Sequence, residues 1–171
     1  RNNELYEFIL INPNFNEVQS MTKVMFICHG NICRSPMAEF LFKDMVEKLN
    51  RKDEFIIASC ATSTEEIGNP VHHGTREILS KLEISCKGKY AVQLTKADYD
   101  KYDYFIVMDS NNMRNTMRIF KTDPDKKVYK LLDFAGGGDV ADPWYTGNFD
   151  VTYDDITRGL KGFLKHIDKQ K

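Results

Sequence analysis

No stretch of this chain is apolar for long enough to cross a bilayer, which takes about 18 consecutive residues. The run Phe8-Ile9-Leu10-Ile11 stops after four residues at Asn12-Pro13, too short for the apolar segment of a secretion signal. Neither sign of charge is in excess: 24 Lys and Arg stand against 25 Asp and Glu, for a formal charge of -1. That balance excludes a chain-wide basic field for nucleic acid or an anionic membrane. Cysteine is sparse, with Cys28, Cys33, Cys60 and Cys86 only. Without a secretion signal, and at a length of 171 residues, they read as thiols rather than a disulfide framework. The expected location is the cytoplasm. No internal repeat and no low-complexity segment is evident, and the apolar share of 42% suits one domain with a single core.

What is present is an alternation of strand and helix. Residues 1–20 are Asn-rich and without periodicity, and they read as an N-terminal leader or extension ahead of a domain at 21–171. Val24-Met25-Phe26-Ile27 is a short apolar run, as in a strand buried on both faces. Ser35-Pro36 reads as a helix start, with Ser as N-cap and Pro in the first turn. Apolar residues at 37, 40, 41, 45 and 49 then recur at helical spacing. Further strands are expected at Phe55–Ala58, Tyr104–Met108 and Val128–Leu131, with helices near Thr75–Leu82, Asn111–Phe120 and Tyr153–His166. A Gly-rich loop spans Gly136 to Gly147. Strands alternating with helices predict a parallel sheet covered on both faces. Ligands of such sheets sit beyond the carboxyl ends of the strands, where Cys28 falls.

The segment that carries chemistry is Cys28-His29-Gly30-Asn31-Ile32-Cys33-Arg34-Ser35. Phosphoryl transfer needs a nucleophile, donors for the phosphate oxygens and an acid for the leaving group. A chain that curls from a strand into a helix can aim successive backbone N–H groups at an anion. The helix start adds partial positive charge, and both effects favour a thiolate at Cys28. Gly30 suits backbone angles that other residues resist. Arg34 offers a planar fork for two phosphate oxygens. Ser35 can donate to the thiolate, and Asn31 can brace the loop. Cys28, His29 and Cys33 also fit part of a zinc site, but no second ligand pair accompanies them. The Gly-Lys-Ser or Gly-Lys-Thr of a nucleotide loop is missing, since Arg34-Ser35 stands there.

A leaving-group acid is harder to read. Asp139 and Asp142 lie in one loop, and the residues alone leave both open. Pro143 stiffens the segment after Asp142 and biases Asp142 toward an extended conformation. Trp144-Tyr145, two aromatics in a polar Gly-rich loop, are poorly explained as core. A phenyl ring can stack there.

These residues together resemble the low-molecular-weight protein tyrosine phosphatase family, over about residues 22–168. The likeness rests on the string at 28–35 and on Ala141-Asp142-Pro143-Trp144-Tyr145. It is supported by Ser59-Cys60-Ala61-Thr62, Gly68-Asn69-Pro70 and Met108-Asp109. The resemblance implies a flavodoxin-like three-layer α/β fold, with a four-stranded parallel sheet and helices on both faces. It implies that Cys28 attacks phosphorus to form a phosphocysteine, with Arg34 binding phosphate and Ser35 stabilising the thiolate. Asn31 organises the loop. Asp142 protonates the leaving phenolate and then activates water. The phosphate-binding loop comprises His29, Gly30, Asn31, Ile32, Cys33 and Ser35 besides Cys28 and Arg34, and it would hold phosphate or sulfate. Substrates would be phosphotyrosine proteins or small aryl phosphates, acted on by a monomer or weak dimer without metal or organic cofactor. A reversible Cys28–Cys33 disulfide under peroxide is likewise implied. Asp109 would brace the loop.

Two positions depart from the family pattern. His29 stands where Leu, Thr or Tyr is frequent, and it reads as a half-exposed loop residue. Glu65 stands where many relatives carry an aromatic on the cleft wall, so it would favour basic residues beside the phosphotyrosine. Ile32 stands where relatives that act on phosphoarginine tend to carry Thr, and this favours phosphotyrosine. His72 and His73 read as exposed loop residues, and Cys60 and Cys86 as structural. A thiol-relay arsenate reductase would need a close downstream cysteine pair, which Cys60 and Cys86 do not form. A non-catalytic binding module would be expected to have lost Cys28, Arg34 or Asp142.

Overall fold

The structure, a computed structural model, describes residues 20–171, so nearly all of the expected N-terminal extension lies outside the described residues. Among the described residues four strands form one parallel sheet: β1 (Thr22–Cys28), β2 (Phe55–Ala61), β3 (Tyr104–Val107) and β4 (Val128–Lys130). Their order is β2-β1-β3-β4. This is the flavodoxin-like order, whose topological switch point lies between β1 and β3. The chain leaves β1 for one side of the sheet and β3 for the other, which opens a crevice above their carboxyl ends.

Among the described residues five α-helices connect and cover the sheet: α1 (Arg34–Lys48), α2 (His73–Lys81), α3 (Ser110–Phe120), α4 (Pro143–Thr146) and α5 (Phe149–Lys169). Side chains alternate across β1, so its two faces feed different cores. Val24, Phe26 and Cys28 pack with Met37, Leu41 and Phe42 of α1 and with Ile156, Leu160 and Phe163 of α5. Met25 and Ile27 join Phe105, Val107 and Phe120 on the opposite face. Cover on both sides is why the strand is an unbroken apolar run. Phe26 sits edge-on to Phe42 at 5.8 Å and to Phe163 at 6.4 Å. Each such ring contributes roughly 1.5–3 kcal/mol by leaving water. Gly162 lets α5 approach the turn after β4, because a Cβ there would meet the Phe134 carbonyl oxygen at 1.9 Å. No described helix is long and apolar enough to cross a membrane.

Helix boundaries differ from the expected ones where polar side chains cap them. α5 begins at Phe149, four residues before Tyr153, because the Asn148 side chain accepts from Val151 N at 3.1 Å. α3 begins at Ser110, because Asp109 Oδ1 accepts from Asn112 N at 2.7 Å. The Gly-rich loop contains α4, capped by Asp142, whose Oδ1 accepts from Trp144 N at 3.0 Å. Ser35 is not the N-cap of α1: that position is Cys33, no side chain caps it, and Ser35 lies inside the first turn. Pro36 is tolerated there because the N–H groups of a helix's first four residues lack intrahelical acceptors anyway.

Candidate active site

β1 ends at Cys28 and the chain wraps from there into α1, keeping Cys28, Asn31, Arg34 and Ser35 all at 3% exposure or less. Cys28 Sγ lies 3.0 Å from Ser35 Oγ, and Asn31 N donates to the same sulfur at 3.3 Å. The left-handed turn that the loop requires falls on Asn31, at φ 58°, and not on Gly30. Asn tolerates that conformation better than most residues. A Cβ at Gly30 would sit 3.2 Å from Glu66 Cγ, a tight contact that the Glu66 side chain would have to relieve by a small shift. Among the described residues, the N–H groups of Gly30, Ile32 and Cys33 make no backbone hydrogen bond. Those of Arg34 and Ser35 open the helix and are left over by its geometry. Such a row of N–H groups beside a helix start is a cradle for an anion.

A buried polar network holds this loop from behind. Asn31 Nδ2 donates to Ser35 Oγ at 2.8 Å and to Ser59 Oγ at 2.9 Å, while Asn31 Oδ1 accepts from Val92 N at 3.2 Å. Ser59 Oγ donates in turn to Glu39 Oε1 at 2.6 Å. Glu39, 4% exposed, is neutralised by Lys43 Nζ at 2.6 Å and Lys89 Nζ at 3.4 Å. Lys89 also donates to the Ser59 carbonyl at 2.8 Å. Sequence reasoning missed Glu39 and Lys89. A polar Ser59 at the buried end of an apolar strand was the one local signal that a network lay there.

Arg34 points into the crevice at 2% exposure. Its Nη1 donates to Asp109 Oδ2 at 2.7 Å and to the Val140 carbonyl at 3.1 Å, and its Nη2 to Asp142 Oδ2 at 3.2 Å. Burial alone would lower the pKa of the guanidinium, but Cys28, Asp142 and Asp109 outweigh it and raise the value above its ordinary level. Asp109 therefore does two things, holding Arg34 and capping α3.

Asp142 reaches the same guanidinium from the far side of the crevice. Asp139, the alternative acid, turns away to Lys130 Nζ at 2.9 Å and anchors the loop to β4. Trp144 and Tyr145 are 62% and 85% exposed, walls of the cleft rather than core. Across from them His29 Nε2 lies 3.0 Å from Glu65 Oε2. His29 is half-exposed, as expected, but its partner stands 36 positions away, beyond the reach of a sequence reading. His72 is not a free loop residue. Its Nδ1 accepts from Gly74 N at 3.1 Å to cap α2, and its ring stacks on Phe149 at 5.2 Å. The structure thus gathers Cys28, His29, Ile32, Cys33, Arg34, Glu65, Asp142, Trp144 and Tyr145 around one cleft of about 910 Å³. Cys33 is a buried thiol whose pKa is pushed up to about 12, first by burial and then by the charges of Cys28 and Asp142. Burial raises Cys60 and Cys86 as well.

Strand order and site place the chain among α/β proteins that carry a cysteine–arginine anion loop at the switch point of a parallel sheet. Comparison with known proteins narrows this. Residues 23–171 match the family described as low molecular weight phosphotyrosine protein phosphatase. The chain is 38% identical over 154 residues to the low molecular weight protein-tyrosine-phosphatase YfkJ of Bacillus subtilis, a match that covers 88% of this chain and 99% of that protein. It is 37% identical over 153 residues to PtpA of Staphylococcus aureus, covering 87% and 96%. The YfkJ crystal structure superposes with a TM-score of 0.85 over 90% of this chain and 99% of that one, at 39% identity. SP-PTP from Streptococcus pyogenes superposes with a TM-score of 0.78 over 85% and 93%, at 41% identity. The chain belongs to the low molecular weight phosphotyrosine protein phosphatase family.

Proposed function

We propose that the chain is a protein tyrosine phosphatase that hydrolyses phosphotyrosine and other aryl phosphate monoesters through a phosphocysteine. The observation that carries this reading is the convergence of the Cys28 thiol, the Arg34 guanidinium and the Asp142 carboxyl group on one cleft. The loop N–H groups and Arg34 hold the three phosphate oxygens, and they stabilise the charge that develops on them in the transition state. The Cys28 thiolate attacks phosphorus while the ester P–O bond breaks, and the Asp142 proton passes to the departing phenolate. Water then attacks phosphorus with Asp142 accepting its proton, the P–S bond breaks, and inorganic phosphate leaves. The Ser35 hydroxyl, 3.0 Å from the sulfur, stabilises the thiolate as leaving group in that second step. No step calls for a metal ion, because the thiolate is the nucleophile and Arg34 supplies the positive charge.

Trp144 and Tyr145 provide the wall on which the phenyl ring stacks. Glu65, held by His29, sits at the rim and favours a basic residue beside the phosphotyrosine. The catalytic set is Cys28, Arg34 and Asp142, and the working form is a cytoplasmic monomer or weak dimer. Under peroxide, oxidised Cys28 condenses with the Cys33 thiol and releases water, which protects the nucleophile from further oxidation. Mass spectrometry after peroxide treatment checks this: a Cys28–Cys33 disulfide supports it, and overoxidised Cys28 without the disulfide removes it. The test of the main reading is hydrolysis of an aryl phosphate at mildly acidic pH with a chelator present. Turnover that disappears in Cys28→Ser supports it, and no turnover in freshly reduced native protein overturns it.

A further inference from the structure

Below the roughly 20–50-residue scale of repeat architectures, α3 carries a tandem of one helical turn. Asn111-Asn112-Met113-Arg114 is followed by Asn115-Thr116-Met117-Arg118. Four residues are slightly more than one turn, so matching positions share a face about 6 Å apart. Asn112 and Thr116 face inward and are buried, while Arg114 and Arg118 are exposed. Each Arg donates to the Asn that opens its own unit, Arg114 Nη2 to Asn111 Oδ1 and Arg118 Nη1 to Asn115 Oδ1. A neutral amide orients a guanidinium without cancelling its charge. Among the described residues neither Arg pairs with a carboxylate, as is also true of Arg76, whereas Arg34, Arg51 and Arg158 all do.

This ridge leads away from the chemistry. Asn111, Arg114 and Asn115 line the same cleft as Cys28 and Asp142, and Arg118 continues the row one turn further along α3. Topology sets it on the opposite side of the Cys28 loop from Glu65. Glu65 follows β2 and α3 follows β3, with β1 between them. Glu65 and Glu66 thus lie on one side of the cleft and Arg114 on the other, where Asp109 and Asp139 are taken up by Arg34 and Lys130, and Arg118 extends the cationic row beyond the cleft. An extended chain repeats its side-chain direction every two residues, about 6.6–6.8 Å. That spacing matches the rise between Arg114 and Arg118.

We propose that the exposed face of α3 is a docking ridge for an acidic segment of the substrate protein. The segment lies extended beside the phosphotyrosine, with carboxylates at alternate positions set against Arg114 and Arg118. The proposal rests on the phosphatase reading and names the class of protein that the site selects.

The test compares three phosphotyrosine peptides of equal length: one with neutral flanks, one with Glu-x-Glu before the phosphotyrosine and one with it after. The expected result is a kcat/KM for one acidic peptide roughly 3- to 10-fold above the neutral peptide at low salt, shrinking as salt rises. Either flank supports the ridge and sets the direction of the bound chain. In Arg114→Gln/Arg118→Gln the ratio of acidic to neutral peptide falls to about one, and Arg118→Glu turns the preference toward Lys-x-Lys flanks. Equal rates on all three peptides in the native protein, or a preference that survives the double substitution, overturn the ridge. Fluorescence anisotropy of the same peptides on Cys28→Ser protein reads the preference without turnover. Loss of all turnover in native protein therefore counts against the phosphatase reading, while an unselective anisotropy result counts against the ridge.

Discussion

The loop at 28–35 and the loop at 136–147 meet at one guanidinium, yet they are built on opposite plans. The first is almost entirely buried. Its sulfur, amide, hydroxyl and guanidinium are each held by two or more neighbours, in a network that runs back through Ser59 to Glu39 and Lys89. The second rides on the surface and is fastened at a few points: Asp139 to Lys130, the Val140 carbonyl to Arg34, and Ala141 N to Asp155 Oδ2 at 3.2 Å. Its aromatic pair is largely in water. The difference fits the two tasks proposed for these loops. Anion binding needs dipoles that do not have to reorganise, which a buried frame supplies. A group that gives a proton away and takes one back, beside a ring that enters and leaves, needs access to solvent.

The most severe way to break the comparison is to empty the rigid half. Cys28→Ser is expected to cut aryl phosphate turnover by at least about 10⁴-fold while leaving circular dichroism and thermal stability close to native. Retained turnover would place the nucleophile elsewhere. Next comes the open half. Asp142→Asn should lose about 10²–10⁴ in kcat on phenyl phosphate and much less on p-nitrophenyl phosphate, whose leaving group needs less protonation. Equal losses on both esters would deny Asp142 the role of acid.

Asn31→Ala tests whether the buried frame matters to rate and stability together. It removes two donated bonds and puts Ala at a φ of 58°. The expected cost is about 1–3 kcal/mol in denaturant unfolding, with kcat lower by roughly 10- to 100-fold. Normal stability with impaired rate would make the network a matter of loop shape alone.

The two cysteines of the loop separate under alkylation. Burial first, and then the Cys28 and Asp142 charges, push the Cys33 thiol up to about 12. Iodoacetate near neutral pH should therefore carboxymethylate Cys28 and spare Cys33, as read by peptide mass mapping. Modification of both at similar rates would contradict that environment.

The smallest effect lies away from the cleft. Glu54 is held down at about 2, first by its hydrogen bond from Arg51 and then by that from Lys171. A carboxyl group lowered on folding contributes stability above its ordinary value, 4.5, and the contribution fades as pH falls toward about 2. The cluster is solvated, so Glu54→Gln should lower stability by no more than about 0.5 kcal/mol at pH 6 and by nothing measurable near pH 2. An equal loss at both pH values would mean packing rather than charge.

Local order made much of this molecule legible. The apolar run at 24–27, the Gly-rich segment and the helical spacing after Pro36 reveal strand, loop and helix, because those signals act between near neighbours. The string from Cys28 to Ser35 is contiguous for a related reason: one strand-to-helix turn supplies both the sulfur and the anion cradle. The errors were local too. Ser35 has the chemistry of a cap, but a nearer partner, the Cys28 sulfur, takes its hydroxyl. Gly30 has the conformational freedom for a left-handed turn, but Asn31 takes that turn. What tertiary structure alone decided is which distant groups meet. Arg34 contacts Asp109 and Asp142 at separations of 75 and 108 positions, and His29 meets Glu65 at 36. Those distances in sequence are closed by parallel crossovers, which bring the ends of successive strands to one edge whatever lies between. The two aspartates of the loop part there as well: Lys130 on β4 draws Asp139 aside, and Asp142 faces the arginine.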